Sequence, residues 1–224
     1  MSPKASRPSG VVMPFRDRRD AGEKLGSRLA KYREREDVLV LALPRGGVVT
    51  GHAIARILKC PLDVLIVRKL GFPGRAELAV GAVSETGSVW LNKDIIDAYG
   101  ISEGYIQGEI SRQMEETRRR ASVYRAGRAM SSLTGKTVIL VDDGVATGAT
   151  MMAAIATLRN EGLARLAAAF PVASIEAREE IRKMVDDLVC LSAPLDFMAV
   201  GNYYQDFRQV TDEEVVSLLR TEQI

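Results

Sequence analysis

The sequence predicts an α/β protein with a central, mostly parallel sheet flanked by helices. Two apolar runs, residues 38–43 and 62–67, stand on either side of a helical stretch over residues 48–58. Both runs are apolar at successive positions, as in strands that are covered on both faces. The order of strand, helix and strand therefore indicates a βαβ unit.

A second unit of the same kind follows further along the chain. Its strands are predicted over residues 137–141 and 166–172, with a helix over residues 147–161 between them. A helix over residues 175–185 and a short strand over residues 188–191 continue the alternation. This alternation is typical of a sheet with helices on both faces.

A long insertion, residues 74–134, separates the two units. Within it, residues 77–83 and 89–91 flank the sequence SETGS and predict an antiparallel hairpin. A charged helix is expected over residues 102–125, with Ser102 as its N-cap.

An amphipathic helix is expected over residues 17–32, because apolar or small residues recur there at helical spacing. We expect its charges to face solvent. The same is expected of the basic run over residues 118–128, with contact to a phosphate or another subunit as the alternative. Residues 1–10 are rich in Ser, Pro and Lys and predict a mobile terminus.

The composition is that of an ordinary globular chain. Of the 224 residues, 46% are hydrophobic and 27% are charged, which suits a single domain over residues 1–224. Lys and Arg number 31 against 29 Asp and Glu, giving a net charge of +2. No nucleic-acid or membrane partner is therefore expected. Cys60 and Cys190 lack metal-ligand spacing and are expected to be free thiols of a cytoplasmic protein.

The strongest motif is the stretch VILVDDGVATGAT over residues 138–150. A buried strand would carry Asp142 and Asp143 to its carboxyl end, where open α/β sheets bind ligands. The small residues that follow would let backbone amides and the hydroxyls of Thr147 and Thr150 surround an anion at the start of a helix. A phosphate is expected there, with a polyhydroxyl group beside the carboxylates. The alternative is that the two aspartates only cap a turn.

The motif lacks the GxxxxGK[ST] spacing of a Walker loop, and the dinucleotide pattern GxGxxG is absent. It resembles, position by position, the 5-phosphoribosyl-1-pyrophosphate (PRPP) signature of the type I phosphoribosyltransferases. This resemblance implies the fold of that family, aspartates that hold the ribose hydroxyls, and a loop that binds the 5′-phosphate. The PRPP-binding residues that it implies are Asp142, Asp143, Gly144, Val145, Ala146, Thr147, Gly148, Ala149 and Thr150.

The turn Pro44-Arg45-Gly46-Gly47 falls where the family has its pyrophosphate loop. A guanidinium beside two unobstructed glycine amides suits a diphosphate. Arg45, Gly46 and Gly47 are therefore PRPP-binding candidates, with a plain tight turn as the alternative. The resemblance also implies a cis peptide bond near Arg45.

The segment that contains Arg68 and Lys69 is similar to one in the adenine and orotate phosphoribosyltransferases. The resemblance implies that both cations bind PRPP and act catalytically on the leaving pyrophosphate; solvated charges are the alternative. Glu85 resembles a glutamate with which the adenine enzymes handle the proton of the base. It is our third catalytic candidate, and an exposed hairpin tip is the alternative.

Phe197 resembles the aromatic residue that stacks on the base in the 6-oxopurine phosphoribosyltransferases, which makes it a base-binding candidate. Those enzymes carry a carboxylate near the base at the position of Ala146. Its absence leads us to expect that hypoxanthine and guanine are poor acceptors, and that adenine or another nitrogenous ring is better.

The resemblance as a whole implies a phosphoribosyltransferase of nucleotide metabolism, such as purine salvage. Such an enzyme transfers 5-phosphoribose from PRPP to a nitrogenous base and releases pyrophosphate. Mg²⁺ is the implied cofactor, carried by PRPP and contacted by Asp142 and Asp143. Residues 11–36 and 192–224 would form a hood, and a homo-oligomer such as a dimer is expected. The alternatives are a non-catalytic regulator that senses PRPP or a nucleotide, and a hydrolase of the same fold.

Overall fold

The computed structural model describes residues 15–221, with the exception of the side chains of residues 75–78 and 221. The predicted mobile terminus over residues 1–10 and the outer ends of the predicted hood lie outside the described residues.

The described strands are, in chain order, β1 (Val38–Ala42), β2 (Leu62–Val64), β3 (Val67–Phe72), β4 (Arg75–Ser84), β5 (Val89–Leu91), β6 (Thr137–Val141), β7 (Arg165–Val172) and β8 (Asp187–Ser192). The described α-helices are α1 (Arg18–Arg28), α2 (Gly46–Leu58), α3 (Lys93–Tyr99), α4 (Glu103–Arg125), α5 (Ala149–Leu158), α6 (Ile175–Met184) and α7 (Asp212–Thr221).

Five strands form a parallel sheet in the order β2-β1-β6-β7-β8. Its central strands are buried on both faces, as the unbroken apolar runs predict. In β1, Val40 belongs to a core shared with α1, α2 and α7, whereas the next residue, Leu41, belongs to a core shared with α5 and α6. Successive strand residues point to opposite faces, so one strand serves two layers of helices.

The prediction of a second parallel strand over residues 62–67 is wrong at its end. β2 stops at Val64, and Val67 begins β3 in a separate antiparallel sheet of order β3-β4-β5. The Leu65 amide still donates to the carbonyl of Ala42, at 3.0 Å. The next amide, that of Ile66, donates to Glu85 Oε1 at 2.9 Å. This side-chain bond replaces a backbone bond in the parallel sheet, and the chain leaves that sheet here.

The inserted hairpin is confirmed, because β4 and β5 pair antiparallel with Val83 opposite Val89. The N-cap of α4 is also confirmed: Ser102 Oγ accepts from the Tyr105 amide at 3.3 Å. The helix after the aspartates begins at Ala149, two residues later than predicted. Gly148, which precedes it, has a left-handed φ of +77°, a conformation that favours glycine.

Backbone hydrogen bonds join the segment before α1 to the C-terminal segment. The amide of Phe15 donates to the carbonyl of Tyr203 at 2.7 Å, and the amide of Gln205 donates to the carbonyl of Phe15 at 2.8 Å. The residues before α1 therefore lie against the C-terminal segment. No described helix is long and apolar enough to cross a membrane. Neither Cys60 nor Cys190 takes part in a disulfide.

Candidate PRPP site

The loop after β1 and the loop after β6 lie against each other, because the two strands are parallel neighbours in the sheet. A Cβ on Gly47 would come within 2.9 Å of the carbonyl oxygen of Val141 and 3.2 Å of Asp142 Oδ1. Gly46 lies in the same way against the Asp143 carboxylate. The structure thus brings together the two loops that the sequence assigned separately to pyrophosphate and to ribose.

Asp142 and Asp143 stand at the carboxyl end of β6. The Asp143 amide donates to Asp142 Oδ1 at 2.8 Å, and the Tyr204 hydroxyl donates to the Asp143 carbonyl at 2.5 Å. Desolvation and the neighbouring Asp143 charge raise the pKa of Asp142 well above its usual value. Two adjacent carboxylates at a strand end concentrate negative charge, which a cation or hydrogen-bond donors must balance.

Arg18 of α1 supplies one such cation. Its Nε lies 2.6 Å from Asp143 Oδ2, and its side chain is 10% exposed. The expectation that the charges of this helix face solvent is therefore wrong for Arg18. No sequence signal distinguished it from the exposed arginines beside it, since the contact joins residues 125 positions apart.

The loop from Gly144 to Gly148 crosses from β6 to α5. The Val145 amide donates to the carbonyl of Val172 at 2.8 Å, and Ser174 Oγ donates to the carbonyl of Ala146 at 2.8 Å. These bonds hold the loop against the end of β7. Gly148 gives α5 no side-chain cap, and the Ala149 amide donates to Thr147 Oγ1 at 3.4 Å. Anion binding at this helix start stays a prediction.

The pyrophosphate-loop candidate has the predicted cis peptide bond, between Pro44 and Arg45. Nη1 of Arg45 lies 3.8 Å from Asp212 Oδ1 at the beginning of α7. Asp212 Oδ1 also accepts a hydrogen bond of 2.7 Å from the Tyr124 hydroxyl. Arg45 is therefore held from the far end of the chain, by a residue that the sequence analysis did not single out.

Arg68 shares a cleft of about 80 Å³ with both loops. The cleft is lined by Pro44, Thr150 and Arg68, together with Arg120 and Tyr124 of α4. Arg68 Nε donates to Gln113 Oε1 at 2.8 Å, which ties the cation to the inserted helix. Arg120 belongs to the basic run for which contact to a phosphate was the alternative. Tyr124 was not singled out as a site candidate, because in sequence it belongs to a charged helix in the insertion.

Lys69 does not line this cleft. It lies with Tyr105 and Arg112 in a larger cleft of about 680 Å³ between β3 and α4. Consecutive strand residues face opposite sides, and both cations belong to β3 rather than to the end of a parallel strand. Arg68 lines this larger cleft together with Lys69, and it also lines the smaller cleft beside Pro44 and Thr150. The joint action of the two cations on a leaving pyrophosphate stays a prediction.

Glu85 is not an exposed residue at a hairpin tip. Its side chain is 7% exposed and forms an ion pair with Arg125, whose own side chain is 4% exposed. Arg125 Nε also donates to Asp63 Oδ1 at 2.7 Å. The carboxylate that was expected to handle the proton of the base is thus a buried member of an ion-pair network, and Arg125 is a further exception to the predicted solvated arginines.

Phe197 lies in the C-terminal segment and is half-buried. It stacks on Tyr203 with ring centroids 5.7 Å apart and planes 9° from parallel. The same aromatic cluster contains Tyr204, which donates to the Asp143 carbonyl. The structure places Phe197 near the acidic loop through this cluster, and its role toward a base stays a prediction.

The family model for the phosphoribosyl transferase domain matches residues 18–207, a span that runs from Arg18 to the aromatic cluster. The chain belongs to the phosphoribosyl transferase family. This match agrees with the fold and confirms the resemblance carried by residues 138–150.

Relatives of this phosphoribosyl transferase family member are found among curated proteins and solved structures. The chain is 42% identical over 205 residues, 92% of its length, to "Putative phosphoribosyl transferase MT0597" of Mycobacterium tuberculosis. It spans about half of that relative, 46%. It is 46% identical to the protein TT1426 from Thermus thermophilus, whose crystal structure superposes with a TM-score of 0.83 over 92% of this chain and 98% of that one.

Proposed function

We propose that the protein transfers the 5-phosphoribosyl group of PRPP to a nitrogenous base and releases pyrophosphate. The observation that carries this proposal is the packing of Gly46 and Gly47 against Asp142 and Asp143. A diphosphate loop in direct contact with a diol-binding acidic pair matches the 1-pyrophosphate of PRPP and the ribose hydroxyls next to it. The loop after the acidic pair and the start of α5 would take the 5′-phosphate.

The chemistry follows from the charges of the site. The bond from C1 of the ribose to the pyrophosphate oxygen breaks, the bond from C1 to a nitrogen of the base forms, and negative charge grows on the departing pyrophosphate. Arg45, Arg68 and the amides of Gly46 and Gly47 would stabilise that charge. Asp142 and Asp143 would hold the ribose hydroxyls and keep C1 oriented toward the base.

The acidic pair also fits a magnesium ion. Mg²⁺ binds oxygen ligands and commonly uses one or two carboxylates together with substrate phosphates. No cluster of three metal-ligating side chains occurs among residues 15–221, so the ion would arrive with PRPP and be contacted by Asp142 and Asp143. When bound, it would neutralise the diphosphate.

The test is to incubate the purified protein with PRPP, MgCl₂ and a panel of bases while pyrophosphate release is measured. Asp143→Ala removes a charged acceptor of ribose hydroxyls. Hydrogen bonds to charged groups are worth about 1.5 to 3 kcal/mol, so PRPP affinity should fall roughly 10- to 150-fold. Asp97→Asn, on the exposed face of α3, is the control. Equal PRPP affinity of Asp143→Ala and the parent would refute the ribose site.

A non-catalytic PRPP or nucleotide sensor is the second candidate. It is favoured because no candidate is left to handle the proton of a base. Ala146 provides no carboxylate, and the Glu85 carboxylate is in an ion pair with Arg125. In the assay above, a sensor would bind PRPP tightly without releasing pyrophosphate for any base. Pyrophosphate released at the same rate without a base would indicate a hydrolase instead.

The proposed setting is the cytoplasm. Neither the buried Cys60 nor the half-buried Cys190 takes part in a disulfide, and burial raises the pKa of the Cys190 thiol to about 11. Cysteines outside disulfides suit a reducing compartment.

A further inference from the structure

Arg18 connects three parts of the molecule through one guanidinium. Its Nε donates to Asp143 Oδ2 at 2.6 Å, and its Nη1 donates to the carbonyl of Arg208 at 2.8 Å. The carbon at the centre of the guanidinium lies 3.8 Å from the centroid of the Phe207 ring. A planar cation held by two hydrogen bonds and an aromatic face has little freedom to turn.

The contact fixes one of the two oxygens of Asp143. Oδ2 faces Arg18 and Gly46, since a Cβ on Gly46 would overlap that oxygen and would lie 2.8 Å from Arg18 Nε. An ionised carboxylate has about four acceptor positions on its two oxygens. With Oδ2 occupied from the side of α1, Oδ1 remains for a ligand.

Arg18 also balances the charge of the acidic pair. Among the described residues, the ion pair found for Asp142 and Asp143 is the one with Arg18. Two adjacent carboxylates repel each other, and without a fixed cation the Asp143 side chain would turn away from Asp142 toward water. The orientation that a ribose diol needs is therefore maintained from outside the loop.

We propose that Arg18 is a positioning residue for the ribose of PRPP: it holds Asp143 so that the free carboxylate oxygen meets a ribose hydroxyl. The proposal rests on the function proposed above. It extends the ribose site to α1 and to the segment that carries Phe207 and Arg208, so that the N-terminal and C-terminal segments both support one substrate contact.

The experiment compares Arg18→Gln and Arg18→Lys by calorimetric titration with PRPP, ribose 5-phosphate and inorganic pyrophosphate. Arg18→Gln should bind both ribose ligands about 10-fold more weakly or worse, because a charged hydrogen-bond acceptor is no longer held in place. Pyrophosphate lacks the diol, so its affinity should change by less than about 2-fold. Arg18→Lys keeps the charge but loses the planar group that stacks on Phe207. Its affinity for the ribose ligands should lie between those of Arg18→Gln and the parent.

The matched control is Arg19→Gln. Arg19 follows Arg18 on the same helix, but its side chain is 61% exposed and faces Glu23 at 3.8 Å. The Arg19→Gln variant should bind all three ligands as tightly as the parent does. If Arg18→Gln does not fold, Phe207→Leu removes the aromatic face beneath Arg18 together with the ring contact to Tyr204. It should give a smaller loss that is again confined to the ribose ligands.

The outcomes separate this proposal from the proposed function. A parent protein that binds neither PRPP nor ribose 5-phosphate refutes the function itself. A parent that binds both, with Arg18→Gln unchanged or with equal losses for ribose 5-phosphate and pyrophosphate, refutes the positioning role and leaves the function standing.

Discussion

A Cβ on Gly46 would lie 1.8 Å from Asp143 Oδ2. No side chain fits between the two loops, so their contact depends on glycine at this position. Gly46→Ala must push the proposed pyrophosphate loop and the proposed ribose-binding carboxylate apart. A displacement of about 1 Å can cost roughly 100-fold in rate, and we expect a loss of that order in kcat/KM for PRPP.

The control for Gly46→Ala is Gly104→Ala in α4, where an added Cβ meets nothing within 4 Å. It should retain full activity. Full activity of Gly46→Ala would show that the two loops do not act on one ligand.

Arg68 and Lys69 should differ in their effects. Arg68 lines both the small cleft with Pro44 and Thr150 and the larger neighbouring cleft, whereas Lys69 lines the larger one. Stabilisation of a leaving group grows with its charge, so Arg68→Met should lower kcat for transfer more than it weakens binding of the nucleotide product. Lys69→Met should change kcat by less than about 3-fold, roughly 0.6 kcal/mol. Steady-state rates and product titrations measure both, and the reverse order would contradict the geometry.

Glu85→Gln should affect stability rather than proton transfer. Removal of one partner from a buried ion pair costs up to about 3–5 kcal/mol. Arg125 would keep its pair with Asp63 but would face a neutral amide at position 85. The free energy of unfolding, measured in urea, should fall by an amount of this order, while the pH profile of transfer keeps its shape. The exposed Glu115→Gln in α4 should change neither. A Glu85→Gln variant of normal stability with a shifted pH profile would restore Glu85 as the catalytic base.

Asp187 should make stability depend on pH in the acid range. Partial burial disfavours its charge, but hydrogen bonds from Tyr32, Lys31 and Arg165 outweigh this and lower the pKa of Asp187 to about 2. A depressed pKa in the folded state stabilises the fold above the ordinary value of 3.8. That stabilisation disappears as the pH falls toward about 2.

At pH 7 the free energy of unfolding of Asp187→Asn should therefore be about 2 kcal/mol lower than that of the parent. This difference should shrink between about pH 4 and pH 2. Urea unfolding at several pH values measures it. Asp97→Asn on α3 should show no such trend, and a constant difference for Asp187→Asn down to pH 2 would contradict the depressed pKa.

The acceptor should be adenine or another ring that does not need a carboxylate at position 146. The Ala146 carbonyl accepts a hydrogen bond from Ser174 Oγ, and the methyl side chain of Ala146 cannot take up a proton. Ala146→Asp should raise kcat/KM for hypoxanthine relative to adenine, because a general base typically contributes about 100-fold or more. Efficient turnover of hypoxanthine by the parent protein would overturn this prediction.

The sequence alone determined the parallel sheet and the residues of the PRPP motif. Unbroken apolar runs such as that of β6 report burial on both faces, and the motif over residues 138–150 is contiguous, so its chemistry can be read without the fold. The N-cap at Ser102 is likewise a local feature. Such features depend on neighbours within a few positions.

Only the tertiary structure decided which charges reach the site. Arg18 was expected to face solvent and Glu85 to handle the proton of a base, yet Arg18 contacts Asp143 and Glu85 is buried against Arg125. Partners that lie 40 to 125 positions away in the chain leave no periodic signal. A buried ion pair forms when packing removes water from both groups, and that depends on how distant elements meet in space.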